Sequence, residues 1–423
     1  MLTVLRQRNF ALLWFAALIS RLGDYTLLVG LPFYVYQRTG STVATGAMIA
    51  AELGPEIALG SVAGVYADRW DRRRTMIVAD LARAGVLLLL LALPARGGLW
   101  LVYLVAAAQT SIAQFFLPAS GALLPRIVGD AQLMPANALR ATMDNAARVV
   151  GPAIGGALLG TLGLGGVVLV DAASFLCSAG LIMLVRVGAA PVPAQATVSP
   201  GAAQADARWR AFWREWADGL GVVRRDRMLA ALFVVWGITM LAQGFLSTLW
   251  VPFVTGVLHG DAPLLGWLGT AQGIGGILGG LVVSRAGTIA HPRRLIIAGS
   301  ATAGLLLLAL INARAIPLIL LLSVGVGVPV LLSDVSMDTL LQQGTVDVYR
   351  GRVLGAYGMT GSLVMLASVV VSSALGERIG IVTLLDVASG LLVAAGLAAL
   401  MFLPETMERQ THVPTDEVVV RQA

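Results

Sequence analysis

The sequence has no lysine among its 423 residues, a single cysteine, Cys177, and three histidines, His259, His291 and His412, that stand far apart. One cysteine excludes an intramolecular disulfide, and isolated histidines lack the clustered spacing of a metal site. Charge is scarce: 12% of residues are charged, against about 25% in soluble domains. No phosphate-binding loop and no nucleophile with a positioned base is present, so neither an enzyme nor a cofactor is expected. Nothing resembles a nucleic-acid reading module either, and the formal charge of +6 comes from arginines scattered over loops.

Apolar residues fill the chain instead, at 57% of the total, with a mean hydropathy of +0.84. That is more apolar surface than one soluble core can hide, so a membrane protein is expected. Twelve apolar stretches recur, near residues 10–36, 43–66, 75–95, 99–120, 143–162, 165–187, 228–256, 264–286, 293–313, 316–338, 353–376 and 379–403. Each is about the 20 residues a helix needs to cross a bilayer. The first is too long to be a removable signal peptide and lacks the small-residue cleavage site, so it reads as a permanent span.

The arginines fall unevenly between alternate loops. Arg69, Arg72, Arg73, Arg74, Arg224, Arg225, Arg293, Arg294, Arg350 and Arg352 are among those on one side, whereas Arg38, Arg96, Arg314 and Arg378 are on the other. The positive-inside rule makes the crowded side cytoplasmic, with both termini on it, and a bacterial-style inner membrane is the expected location.

The expected fold is therefore an all-α membrane protein of twelve transmembrane helices in two six-helix bundles. A bundle over 1–188 is followed by a cytoplasmic linker over 189–227, a second bundle over 228–404 and a tail over 405–423. The linker holds a Pro- and Ala-rich stretch and then "RWRAFWREWADGL", whose Trp209, Phe212, Trp213, Trp216 and Leu220 share one face, as in a helix lying in the membrane interface. The halves echo one another: "LVDAASFLCSAGL" aligns with "LLDVASGLLVAAG", pairing Asp171 with Asp386 and Ser174 with Ser389. Parallel repeats of six spans are the plan of the major facilitator transporters.

Two motifs carry a resemblance to that superfamily over essentially the whole chain. "GVYADRWDRRR" resembles its loop motif after span two, matched by Gly64, Asp68, Arg69, Arg72 and Arg73, with Asp71 where the motif has glycine. The resemblance implies a cytoplasmic gate latch in which Asp68 faces the start of span eleven near Gly351 and Arg352. "RVVGPAIGG" resembles the exporter hinge motif, through Gly151, Pro152, Gly155 and Gly156, with Ala147 in place of the leading glycine. Together with "RNFALLWFAALISRLGD" and "LPRIVGDAQLMPANAL", these motifs look most like the bacterial drug and siderophore exporter branch that includes macrolide and enterobactin exporters. Span four lacks the arginine usual in drug exporters and offers Gln109 and Gln114.

Ionisable residues within spans are costly and so are candidates for coupling. Same-helix spacing pairs Arg21 with Asp24, Asp80 with Arg83 and Asp144 with Arg148, which can simply neutralise one another. Glu52 and Glu56 differ, lying one turn apart around Pro55 with no basic residue between 39 and 68. Two carboxylates on one face in low dielectric repel each other, so at least one should hold a proton near neutral pH. Glu52, Glu56 and Asp24, with Arg21 as its switchable partner, are the expected proton-coupling residues. Gln109, Gln114, Trp236, Gln243 and Asp334 are the expected cavity residues, with Met240 and Phe245 as wall residues; few polar groups beside aromatics suit an amphipathic solute.

The expected function is proton-coupled export of small amphipathic molecules, drug- or siderophore-like, by a monomer working through alternating access. Its partners are that solute, protons and the lipid bilayer, with no nucleic acid, metal or cofactor. A lipid or lysolipid translocator of the same fold, or a non-transporting sensor or scaffold, are the alternatives.

Overall fold

A computed structural model describes residues 2–92, 98–186, 214, 216–286, 291–346 and 349–404, without the side chains of 2, 3, 61–69, 130, 131 and 286. Among the described residues there is no strand. A short turn α1 (Leu2–Leu5) precedes α2 (Arg8–Thr39), α3 (Thr42–Arg69), α4 (Arg72–Leu88), α5 (Leu99–Val128) and α6 (Asp130–Met183). Next come α7 (216–225), α8 (Arg227–Pro252), α9 (Ala262–Ala286), α10 (Pro292–Asn312), α11 (Ile316–Gln343), α12 (Arg350–Ile379) and α13 (Ile381–Phe402).

Ten of the described helical segments are long and apolar enough to cross a membrane, and one of them, α6, contains two spans. It reverses at Gly163, whose φ of 64° and ψ of −169° are open to glycine alone at little cost. With α3 the spans number twelve, as expected. Replacing Gly163 by alanine is expected to cost about 1–3 kcal/mol through backbone strain alone. The check is a lower thermal midpoint in detergent with helical content unchanged.

The ends of the helices follow local chemistry. Asp71 accepts a hydrogen bond from the Arg74 amide at 2.8 Å and so caps α4, which accounts for an acid where the loop motif has glycine. Asp226 caps α8 through the amides of Met228 (2.8 Å) and Leu229 (3.1 Å). One boundary differs from the sequence reading: the stretch between spans four and five, 121–142, is helical except at Gly129 (φ 70°, ψ 165°). Polarity there marks where the apolar run ends, not where the helix does. Of the interfacial helix expected from the sequence, Trp209, Phe212 and Trp213 lie outside the described residues. Within α7, Trp216 donates to the Thr360 hydroxyl (3.3 Å) and Gly219 sits against the Arg352 carbonyl of α12.

An even number of spans puts both described ends on one face, the terminal face. Away from that face a single apolar core joins both halves, with Leu31, Met48 and Phe175 of the first and Leu249, Phe253 and Leu310 of the second. Toward the terminal face the core is divided. Phe10, Met76 and Leu123 belong to a cluster of the first bundle, and Leu232, Leu340 and Val353 to a cluster of the second. The two bundles are closed together at the far face and part toward the terminal face.

Two helix pairs make the closure. On one side Thr42 of α3 donates to the Ser373 carbonyl of α12 (2.9 Å), and Ser41 to Glu377 (2.7 Å). On the other, Thr270 of α9 donates to the Val149 carbonyl of α6 (2.8 Å). Here glycine is required by close approach: a methyl group on Gly156 would stand 3.0 Å from Gly266 Cα, and one on Gly266 would stand 2.5 Å from the Pro152 carbonyl.

Candidate functional site

The middle of the first bundle holds a polar cluster built by four helices around Arg83 of α4. Its Nη2 bonds Asp24 Oδ1 of α2 at 2.5 Å, its Nε donates to Gln109 Oε1 of α5 at 2.9 Å, and Gln109 Nε2 returns a bond to the Arg83 carbonyl at 2.8 Å. The guanidinium carbon lies 4.1 Å from the centre of the Phe175 ring of α6, a desolvated cation–π contact. A planar fork with several donors is what lets one side chain meet a carboxylate, an amide and a ring together.

Two further carboxylates complete the cluster. Asp80, one turn before Arg83, is fully buried, and neither of its oxygens makes a hydrogen bond of good geometry; the Ser178 hydroxyl and the charges of Arg83 and Asp24 act on it. Asp171 is also fully buried: Oδ1 accepts from Ser174 (3.1 Å) and Oδ2 has no partner. Asp171 comes so close to α2 that Gly23 is the residue that fits opposite it. One guanidinium cannot neutralise three carboxylates, so the cluster cannot be fully ionised at a bearable cost.

Three sequence expectations change here. Asp24 pairs with Arg83, not Arg21; Arg21 reaches across to Asp144 of α6 (3.4 Å) instead of its own helix; and Asp144 is thereby taken from Arg148. Same-helix neighbours compete with groups from facing helices, and long guanidinium side chains reach the better-packed acceptor. Arg83 likewise turns away from Asp80. In the sequence Asp80 and Arg83 read as a self-neutralising pair and Asp171 as the repeat partner of Asp386, so none of the three stands out as a coupling residue. The usable signal was their depth: ionisable groups near mid-span. Gln109, expected in the cavity, is buried as an Arg83 partner.

The cluster backs onto a small cavity, open on one side, between α2, α4, α5 and α6, with Asp24 and Arg83 in its wall. Asp24 keeps 27% of its side chain exposed, whereas Arg83 keeps 9%. The remaining expected residues are spread around the cleft. Glu52 is half-buried and Glu56 exposed on α3, and among the described residues neither has a hydrogen-bond or ion-pair partner. Gln114 lies near Gly60 of α3. In the second bundle Gln243 is exposed, and Trp236 is half-buried and stacks on Tyr357 with centroids 4.6 Å apart. Asp334 is half-buried on α11 and feels the charges of Asp338 and of Arg148 from the facing bundle. Phe245 belongs to the far-face core and Met240 is half-buried beside Gly361.

The two motifs are placed differently. The side chains of Gly64, Asp68 and Arg69 lie outside the described residues. Arg72 donates to the Ala122 carbonyl (3.0 Å), and Arg73 to the carbonyls of Ile182 (3.1 Å) and Met183 (2.5 Å) at the end of α6. Both arginines thus bond their own bundle, and Arg73 does so at the last carbonyls of α6, where a helix C-terminus favours a cation. The hinge motif packs in two directions: Gly151 and Gly155 admit Tyr25 and Thr26 of α2, while Pro152 and Gly156 meet α9 across the bundles.

Comparison with known proteins agrees with this architecture. The family described as transmembrane secretion effector matches residues 1–421. The multidrug efflux pump Tap of Mycolicibacterium fortuitum is 26% identical over 411 residues, 94% of this chain and 96% of that protein. Macrolide efflux protein A of Streptococcus pyogenes is 24% identical over 379 residues, covering 88% and 90%. A crystal structure of a POT family transporter in complex with 5-aminolevulinic acid superposes with a TM-score of 0.73 at 12% identity, over 94% of this chain and 96% of that one. With a full-length family match, efflux proteins as relatives and two bundles parting around a cleft, the chain belongs to the transmembrane secretion effector family of major facilitator transporters.

Proposed function

We propose that this transporter exports small amphipathic molecules in exchange for protons, as a monomer in a cytoplasmic membrane. The arginine bias makes the terminal face cytoplasmic, so the cleft would open inward while the far face is shut. Export draws support from relatives named as efflux proteins. Proton coupling rests on one observation above all, the Arg83 cluster in the cavity wall.

Asp24 is the member of the cluster that water reaches, and it is held by Arg83. Adding a proton to Asp24 removes the charge that holds the guanidinium, which then has the unpartnered oxygens of Asp80 and Asp171 beside it. A side chain choosing between two sets of carboxylates gives the bundle two arrangements whose balance a proton can bias. Glu52 and Glu56, without partners on α3, are proposed as a second protonation site. The loop motif would re-form its contact with the start of α12 when the terminal face closes.

The test uses purified protein in sealed liposomes with an imposed pH gradient and an amphiphilic fluorescent dye. Asp24→Asn is expected to abolish gradient-driven accumulation while keeping dye equilibration, and Glu52→Gln with Glu56→Gln to weaken the response to the gradient. Undiminished gradient-driven flux in both variants would remove these residues from coupling.

A further inference from the structure

The cavity beside Arg83 runs on along α2, α5 and α6 toward Arg140, and that end holds polar groups that the protein itself leaves unused. Arg140 lines the cavity and, among the described residues, has no hydrogen-bond, ion-pair or ring partner. Ser20 and Ser120 also line it; each is more than nine-tenths buried, at 4% and 8% exposed, and among the described residues neither hydroxyl has a hydrogen-bond partner. A buried helical serine ordinarily turns its hydroxyl back to its own helix, as Ser111 does to the Ala107 carbonyl at 2.7 Å. These two face a space instead.

Of the five charged residues in the cavity wall, Asp24 is held by Arg83 and Asp144 by Arg21, and Arg140 is the one without an ion-pair partner among the described residues; the unpartnered oxygens of Asp80 and Asp171 lie behind Arg83, outside the cavity's lining. Beside Arg140 the wall is apolar, from Ala17, Phe116, Leu117 and Met143. A free guanidinium flanked by hydroxyl donors suits a carboxylate or phosphate, which it can bind through two parallel hydrogen bonds, and the apolar wall suits a hydrocarbon or aromatic body.

We infer that this cavity binds an amphiphile through one anionic group, a carboxylate or phosphate, held by Arg140 with Ser20 and Ser120. The inference rests on the export function proposed above and names the charge class of its substrate. The anionic group belongs either to a free solute or to a lipid headgroup, and both would present the same chemistry to Arg140.

Binding of decyl phosphate and of decyltrimethylammonium to the purified full-length protein, measured by calorimetry in phosphatidylcholine vesicles, tests this. Wild type is expected to prefer decyl phosphate. Arg140→Gln should weaken that ligand about tenfold or more and leave the cation unaffected, with Ser120→Ala acting in the same direction. Equal affinity for the two headgroups, or no effect of Arg140→Gln in a variant with an unchanged thermal midpoint, would overturn the anionic site. Repeating the titration with phosphatidylglycerol added assigns the source. Competition by the lipid supports a headgroup, and none supports a free solute, provided Arg140→Gln abolishes the preference in both. Dye flux driven by the pH gradient is recorded on the same preparations, so a failed anion site with intact coupling is distinguishable from failure of the transport reading.

Discussion

Replacing Arg83 by methionine is expected to destabilise the protein by about 3–5 kcal/mol at neutral pH, the usual cost of removing one partner from a buried ion pair. Asp24, Asp80 and Asp171 would be left facing one another with no cation among them, and Gln109 would lose the donor at its oxygen. The sign of the pH dependence follows from the charges. Acidification adds protons to the carboxylates left without a cation in the variant, which relieves their mutual repulsion. The gap in thermal midpoint should therefore narrow as pH falls. A gap that is constant or widens toward acid would mean that the cluster is not held by charge. Arg83→Lys separates packing from charge: it restores the cation without the fork, so it should recover stability better than methionine while losing the simultaneous contact to Asp24 and Gln109.

Gly266→Leu is expected to drive the bundles apart at the far face and close them at the terminal face. The side chain would enter the space now occupied by the Pro152 carbonyl and Gly156 of α6. Overpacking of this kind costs about 1–3 kcal/mol, charged only to the conformation in which α6 and α9 touch. Converted to populations, that is about a 5- to 150-fold shift toward the alternative state. Spin labels at Arg126→Cys of α5 and Gln343→Cys of α11, in a Cys177→Ser background, lie on exposed terminal-face ends and should move closer together. Gly276→Leu is the control, because nothing stands within 4 Å of the space its first carbon would fill. A distance distribution unchanged in Gly266→Leu, or changed equally in the control, would sink the rocking of rigid bundles about this contact.

Much of the site was out of reach of the sequence, for a reason that the repeat makes plain. Asp171 and Asp386 occupy matching places in the two halves, yet Asp386 accepts an ordinary hydrogen bond from Asn312 at 2.9 Å while Asp171 is shut into the Arg83 cluster. Matching residues reveal common ancestry of position, and only their neighbours from other helices decide what they do. Asp24 was legible, because a lone acid at mid-span is expensive in any context. Its partner was not: Arg21 is three residues away in sequence, Arg83 is fifty-nine, and the bond goes to Arg83.

The sequence by itself determined the twelve spans, the two halves, the charged face and the glycines of α6 that allow close helix contact. Those properties are linear: they depend on the run length of apolar residues, on which loops carry arginine, and on where side chains are absent. Tertiary structure alone decided which face is closed, which carboxylate meets which guanidinium, and that Arg140, Ser20 and Ser120 share a cavity. These depend on residues brought together from α2, α4, α5 and α6, and helix periodicity fixes the face a residue occupies without fixing what stands opposite it.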